Sequence, residues 1–169
     1  FPMDWARTQN NLGNAYSERI RGDKAENIEA AIAALQQALQ VRTQTDFPMD
    51  WARTQNNLGN AYIERIRGDK AENLESAIVA FQQAKLVYTK TEFPIDWART
   101  QNNLGIAYSD RIRGDKAENL ESAITAFQQA LQLRTLKADL IDHLQTTNNL
   151  GNLYFDNQNW QLAAENYEK

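Results

Sequence analysis

The chain has 169 residues, a formal net charge of −4 and a pI near 5.1. That acidic balance argues against a nucleic-acid surface, which needs a clustered basic excess, and no apolar run approaches the roughly 18 residues of a membrane span. With no cysteine, disulfides and thiolate metal sites are both ruled out, and a cytoplasmic location is compatible.

The stretch Phe1–Asp46 is written again from Phe47 and once more from Phe93, a period of 47 − 1 = 46 residues. Only 10 of the 46 positions differ between the first two copies, so the register is unambiguous. Such copying predicts a stacked array in which each unit buries its apolar faces against its neighbours. The units are 1–46, 47–92, 93–138 and a shorter, partial 139–169, which recovers the pattern at Asn148-Asn149-Leu150-Gly151. A start at a unit boundary and an end inside a periodic segment are expected of a piece of a longer protein.

In the first unit Trp5, Thr8, Leu12, Ala15 and Tyr16 recur at helical spacing and predict helix A, about Pro2 to Ile20, with the proline in its first turn. Gly22 is expected to end that helix in the left-handed conformation. The stripe Ile28, Ala31, Ile32, Leu35, Ala38 and Leu39 predicts helix B, about Ile28 to Thr43. Two starts for B are readable: a capping box of Asp23 with Glu26, or an N-cap at Asn27. Asn27 is preferred, because the fourth unit lacks six residues here and still keeps Asn159.

Gly13, Gly59, Gly105 and Gly151 fall inside helix A, where glycine costs about 1 kcal/mol relative to alanine. Close approach of helix B, through Ala31, Ala77, Ala123 and Ala163, is the expected compensation. Trp5, Trp51 and Trp97, with His143 in the last unit, are expected in the core. The charged run Arg19 to Glu26 reads as a solvated mixed-charge loop. Lys85 stands where other units have Leu39 and Leu131, and its charge is expected to reach solvent.

Leu12-Gly13 with Tyr16, followed by the alanine, Leu35 and Ala38 of helix B, resembles the tetratricopeptide repeat. The usual period is about 34; six extra residues lie between A and B, and six between B and the next A. Gln9 stands where that family often has an aromatic, and its proline after B is missing. Long-period arrays with Asn-Asn-Leu-Gly are similar to those of kinesin light chains and of bacterial, notably cyanobacterial, multidomain signalling proteins. The resemblance implies an all-α solenoid of antiparallel helix pairs in a right-handed superhelix, with A helices lining the concave side.

On the helix A wheel, Arg7, Asn11, Asn14 and Glu18 fall within about 60° at 100° per residue, away from the apolar side. Stacking turns them into rows: Asn11, Asn57, Asn103 and Asn149, beside Asn10, Asn56, Asn102 and Asn148, with Asn14 and Asn60 and then Arg7, Arg53 and Arg99 at the helix starts. An asparagine amide both donates and accepts, so it matches the N–H and C=O of an extended peptide. The Asn11 row resembles the asparagine ladders of tetratricopeptide grooves. A second reading leaves these amides merely solvated, copied by duplication.

Almost every polar side chain returns in equivalent surroundings, whereas an active site needs unlike groups converging once. There is no nucleophile–histidine pair, phosphate-cradling loop or metal-ligand spacing, so neither an enzyme nor a cofactor is expected. What remains is a module for a protein or peptide partner. The alternative is a spacer or oligomerisation arm that self-associates end to end.

Overall fold

In the computed structural model, residues 1–168 are described and form eight helices: α1 (Pro2–Ser17), α2 (Lys24–Leu39), α3 (Pro48–Glu64), α4 (Lys70–Lys85), α5 (Pro94–Ser109), α6 (Lys116–Leu131), α7 (Leu140–Asp156) and α8 (Trp160–Tyr167). The odd-numbered helices are the expected A helices and the even-numbered the B helices. Two compact units divide the chain, Phe1–Tyr88 with α1 to α4, and the remainder, from Thr89, with α5 to α8. Within the first, each helix packs on the next and α1 also touches α3; in the second, α5 to α8 repeat that scheme, with α5 touching α7.

Local chemistry sets the boundaries. Pro2, Pro48 and Pro94 open α1, α3 and α5, where a missing amide donor costs nothing. The B helices start a turn earlier than the preferred reading, at Lys24, because Asp23 caps them: its carboxylate accepts the Glu26 amide at 2.8 Å. Asp69 and Asp115 do the same for α4 and α6. Asn27 has another task, donating from its side chain to the carbonyls of Arg21 (3.0 Å) and Arg19 (3.4 Å) and so holding the A–B loop closed. The fourth unit lacks that loop, and there Asn159 is the N-cap of α8, accepting from the Leu162 amide. The shorter unit was a poor guide to the longer ones because removing the loop frees the asparagine.

Helix α1 also stops at Ser17, short of Ile20, and its C-cap Glu18 stays right-handed. Gly22 is left-handed as expected, at φ +87°, but it turns the loop into Asp23 and does not end the helix. The short α7–α8 turn does close on a left-handed residue, Gln158 at φ +61°. There the amides of Gln158 and Asn159 donate to the carbonyls of Phe155 and Tyr154, a Schellman closure made without glycine.

Helix B does approach each A-helix glycine, but one turn further along than expected. A Cβ on Gly13 would lie 2.6 Å from Leu35 Cγ, and one on Gly59 2.5 Å from the Phe81 ring, with the Ala31 carbonyl 3.2 Å from the former. Phe127 and Tyr167 crowd Gly105 and Gly151 in the same way. The large residue of helix B therefore sits over the glycine. Between pairs, Ile28, Ile32 and Leu35 of α2 close a core with Leu58 and Ala61 of α3. In the second unit Ala123 and Phe127 of α6 meet Leu150, Leu153 and Tyr154 of α7 and Ala163 of α8.

Candidate functional site

The second A helix of each unit, α3 or α7, is covered on two sides and open on a third. One covered side faces its own B helix, as with Ala52, Asn56 and Gly59 of α3; the other faces the preceding pair, as with Thr54, Leu58 and Ala61. The stripe left over in α3 is Arg53, Asn57, Asn60 and Glu64, in α5 Arg99, Asn103, Ile106 and Asp110, and in α7 Gln145, Asn149, Asn152 and Asp156. All of these are exposed or half-buried. Arg7, Asn11, Asn14 and Glu18 are accessible in α1 in the same way.

The two asparagine rows separate. Asn10, Asn56 and Asn102, placed beside the first row by the sequence reading, are buried at 2 to 3% exposure and do not line the open face; only Asn148 of that row is exposed. A residue one step along a helix turns about 100°, enough to carry the amide under the neighbouring helix. The first row is accessible but not simply solvated: Asn57 Nδ2 donates to Asn10 Oδ1 at 3.2 Å, and Asn149 Nδ2 to Asn102 Oδ1 at 3.2 Å. Asn10 and Asn102 thus each anchor an open amide on the next A helix of their unit, fixing its orientation and using one of its two N–H groups.

Beneath these amides lies a junction that the sequence reading missed. Arg42, 1% exposed, follows α2 and donates from Nη1 to Thr54 Oγ1 at 2.9 Å, while Asp50 lies 3.4 Å from Nη2. The single Thr54 hydroxyl proton is shared between Asn10 Oδ1 (3.1 Å) and the Asp50 carbonyl (2.8 Å). The second unit repeats this with Arg134, Thr146 (2.9 Å) and Asp142 (3.2 Å). Burial pushes both guanidinium pKa values down, and the adjacent aspartates oppose that shift. The signal in the sequence was a lone arginine just beyond the helix B stripe, in line with Thr54 one unit on; Tyr88 holds that place after α4 and is itself buried.

The open arginines are held on their own helices. Arg7 pairs with Asp4 at 2.9 Å, and Arg53 and Arg99 pair with Asp50 and Asp96. The loop cations are not simply solvated either. Arg65 forms a two-pronged pair with Glu29 (2.7 and 2.8 Å), and Lys24 bridges the Ser17 carbonyl (2.8 Å) and Glu64 (2.9 Å). The Arg65 hydrogen bonds pull the Glu29 pKa down, and Glu29 raises that of Arg65. Lys85 is half-buried, and desolvation lowers its pKa. Trp51 is buried and Trp97 half-buried, but Trp5 is 42% exposed, contrary to the core placement. His143 is half-buried and donates from Nδ1 to the Arg134 carbonyl at 2.8 Å.

Among the described residues no group of three or more His, Cys, Asp or Glu side chains is placed to hold a metal ion, and no helix is long and apolar enough to cross a membrane. The sequence pattern of the tetratricopeptide repeat matches residues 5–40 and 97–136, which cover α1 with α2 and α5 with α6. The intervening pair, α3 with α4, is a near-copy of the first. No curated protein matches the chain.

Proposed function

Starting from a chain built of tetratricopeptide repeats, which serve in general as protein–protein interaction modules, we propose that the open A-helix face binds an extended peptide segment of a partner protein. The observation that carries this reading is the orientation of Asn57 and Asn149. Each is half-buried and held by a buried asparagine of the neighbouring helix, with its carbonyl oxygen and second N–H left for a partner. Fixed amides lose little entropy when they grip a ligand backbone, so holding them in place favours binding. Asn11 and Asn103, with Asn14 and Asn60, extend the same polar face within their units. Arg7, Arg53 and Arg99 already have aspartate partners, so they contribute orientation more than a strong preference for acidic ligands.

Backbone recognition gives the test its form. An immobilised array of random decapeptides is probed with the full chain, and the best binders are remade with N-methylated backbones. Binding should fall about tenfold with methylation at the gripped positions, and equally with Asn57→Ala plus Asn149→Ala. Binders indifferent to both changes would refute backbone capture by these amides. Asn10→Ala, which removes the anchor of Asn57 without touching the open face directly, should weaken binding by a smaller factor.

A further inference from the structure

One cleft on this face differs from its counterpart in a way that specifies a ligand. In the first unit the ends of α1 and α3 are bridged internally: Lys24 reaches the last-turn carbonyl of Ser17 and the carboxylate of Glu64. The corresponding place in the second unit, between the ends of α5 and α7, is a cleft of about 360 Å³ lined by Ile106, Asp110, Lys116, Asn149, Leu153 and Asp156. Asp156 stands where α3 has Glu64 and is one methylene shorter, and among the described residues no ion pair joins it to Lys116. Ile106 stands where the other A helices carry Asn14, Asn60 and Asn152.

From these differences we infer that the second-unit cleft is a side-chain pocket for a ligand segment in which a lysine or arginine adjoins an aliphatic residue. This deepens the peptide-binding reading and rests on it. Two carboxylates face one lysine, and the carbonyl ends of two helices add partial negative charge, so the site favours a cation. The first unit carries the same chemistry already satisfied by its own ammonium group. Ile106 and Leu153 supply an apolar wall that no asparagine at position 106 would give, suited to an aliphatic side chain beside the cation. Asn149 lies in the same cleft, where its amide meets the ligand backbone.

Three fluorescein-labelled decapeptides on a Gly-Ser-Ala background test this by anisotropy with the full chain, carrying Lys-Leu, Lys-Ser or Glu-Leu at their centre. Lys-Leu should bind about tenfold more tightly than either of the others. Ile106→Asn restores the residue of the other units, and should abolish the advantage of Lys-Leu over Lys-Ser while leaving Lys-Ser unchanged. Asp156→Glu should let Lys116 close the bridge and weaken Lys-Leu severalfold; adding Lys116→Gln should restore it. Equal binding of the three peptides, or a Lys-Leu advantage that survives Ile106→Asn, overturns the pocket and leaves backbone capture standing. Absence of binding by all three and by the random array overturns both.

Discussion

Residues 1–16 and 47–62 are the same sixteen residues, yet α1 and α3 end in different surroundings. Trp51, Leu58 and Ala61 are buried at 9, 6 and 1% exposure, while Trp5 and Leu12 remain 42 and 39% exposed. Thr54 is fully buried and bonded to Arg42, while Thr8 is exposed and bonds only the Asp4 carbonyl of its own helix. The difference lies in α2, which covers α3; no described helix pair precedes α1. By contrast, the side that faces its own B helix is buried in both copies, as Ala6, Asn10 and Gly13 match Ala52, Asn56 and Gly59. One helical sequence thus carries two interfaces, one completed within its own pair and one that depends on a neighbour.

Paired substitutions sharpen that contrast. Leu58→Ala should cost about 2–4 kcal/mol in urea unfolding followed by helicity, and Leu12→Ala less than about 1. Equal costs would mean that the α2–α3 core contributes little. Glycine breaks the asymmetry: Gly13→Ala and Gly59→Ala should each destabilise by about 1–3 kcal/mol, because both new methyl groups meet helix B of their own pair. A gain in either, as helix propensity alone would give, would show that the B helix yields. Next, Thr54→Val should cost about 1–2 kcal/mol by leaving the buried Arg42 Nη1 without its acceptor, with Thr8→Val near neutral.

Smaller effects test the departures between copies. Lys85→Leu restores the residue of the other units and should raise stability by about 1 kcal/mol, an increase that shrinks as pH rises towards the lysine range. The sign follows from the lowered pKa: folding disfavours the charged form, and that penalty fades where the unfolded chain also loses its proton. Glu29 runs the other way. Its depressed pKa means that its contribution is present above the ordinary carboxylate range and is lost as pH falls through the folded value, so the wild type should lose stability relative to Glu29→Gln in acid. A difference independent of pH would mean that the Glu29–Arg65 pair adds nothing.

The 46-residue period, the helix pairs and the open polar stripe were all legible beforehand. Duplication repeats the helical spacing of Leu12, Leu35 and Leu39, and the stripe follows from the wheel alone. Less legible were choices between two locally acceptable partners. Asp23 and Asn27 are both good N-caps, and only the closed loop, with carbonyls for Asn27 to bind, decides between them. Ala31 and Leu35 both lie on the inner side of helix B, and the stagger of the two helices puts Leu35 over Gly13. Asn10 and Asn11 are neighbours with the same side chain, but Asn10 lies on the side that α2 covers and finds its partners on α3, while Asn11 stays accessible.

What the sequence determined by itself is local: which segments are helical, where prolines and aspartates start them, and which side of each is too polar to bury wholesale. The tertiary structure decided which polar groups are nonetheless enclosed, because a buried asparagine or arginine is tolerated only where another helix brings its partner. Asn10 finds Thr54 and Asn57, and Arg42 finds Thr54 and Asp50, only after two pairs have stacked. Those contacts span eight to forty-seven positions of chain and join different helices, beyond the reach of helical periodicity, and they hold the amides of the open face in place.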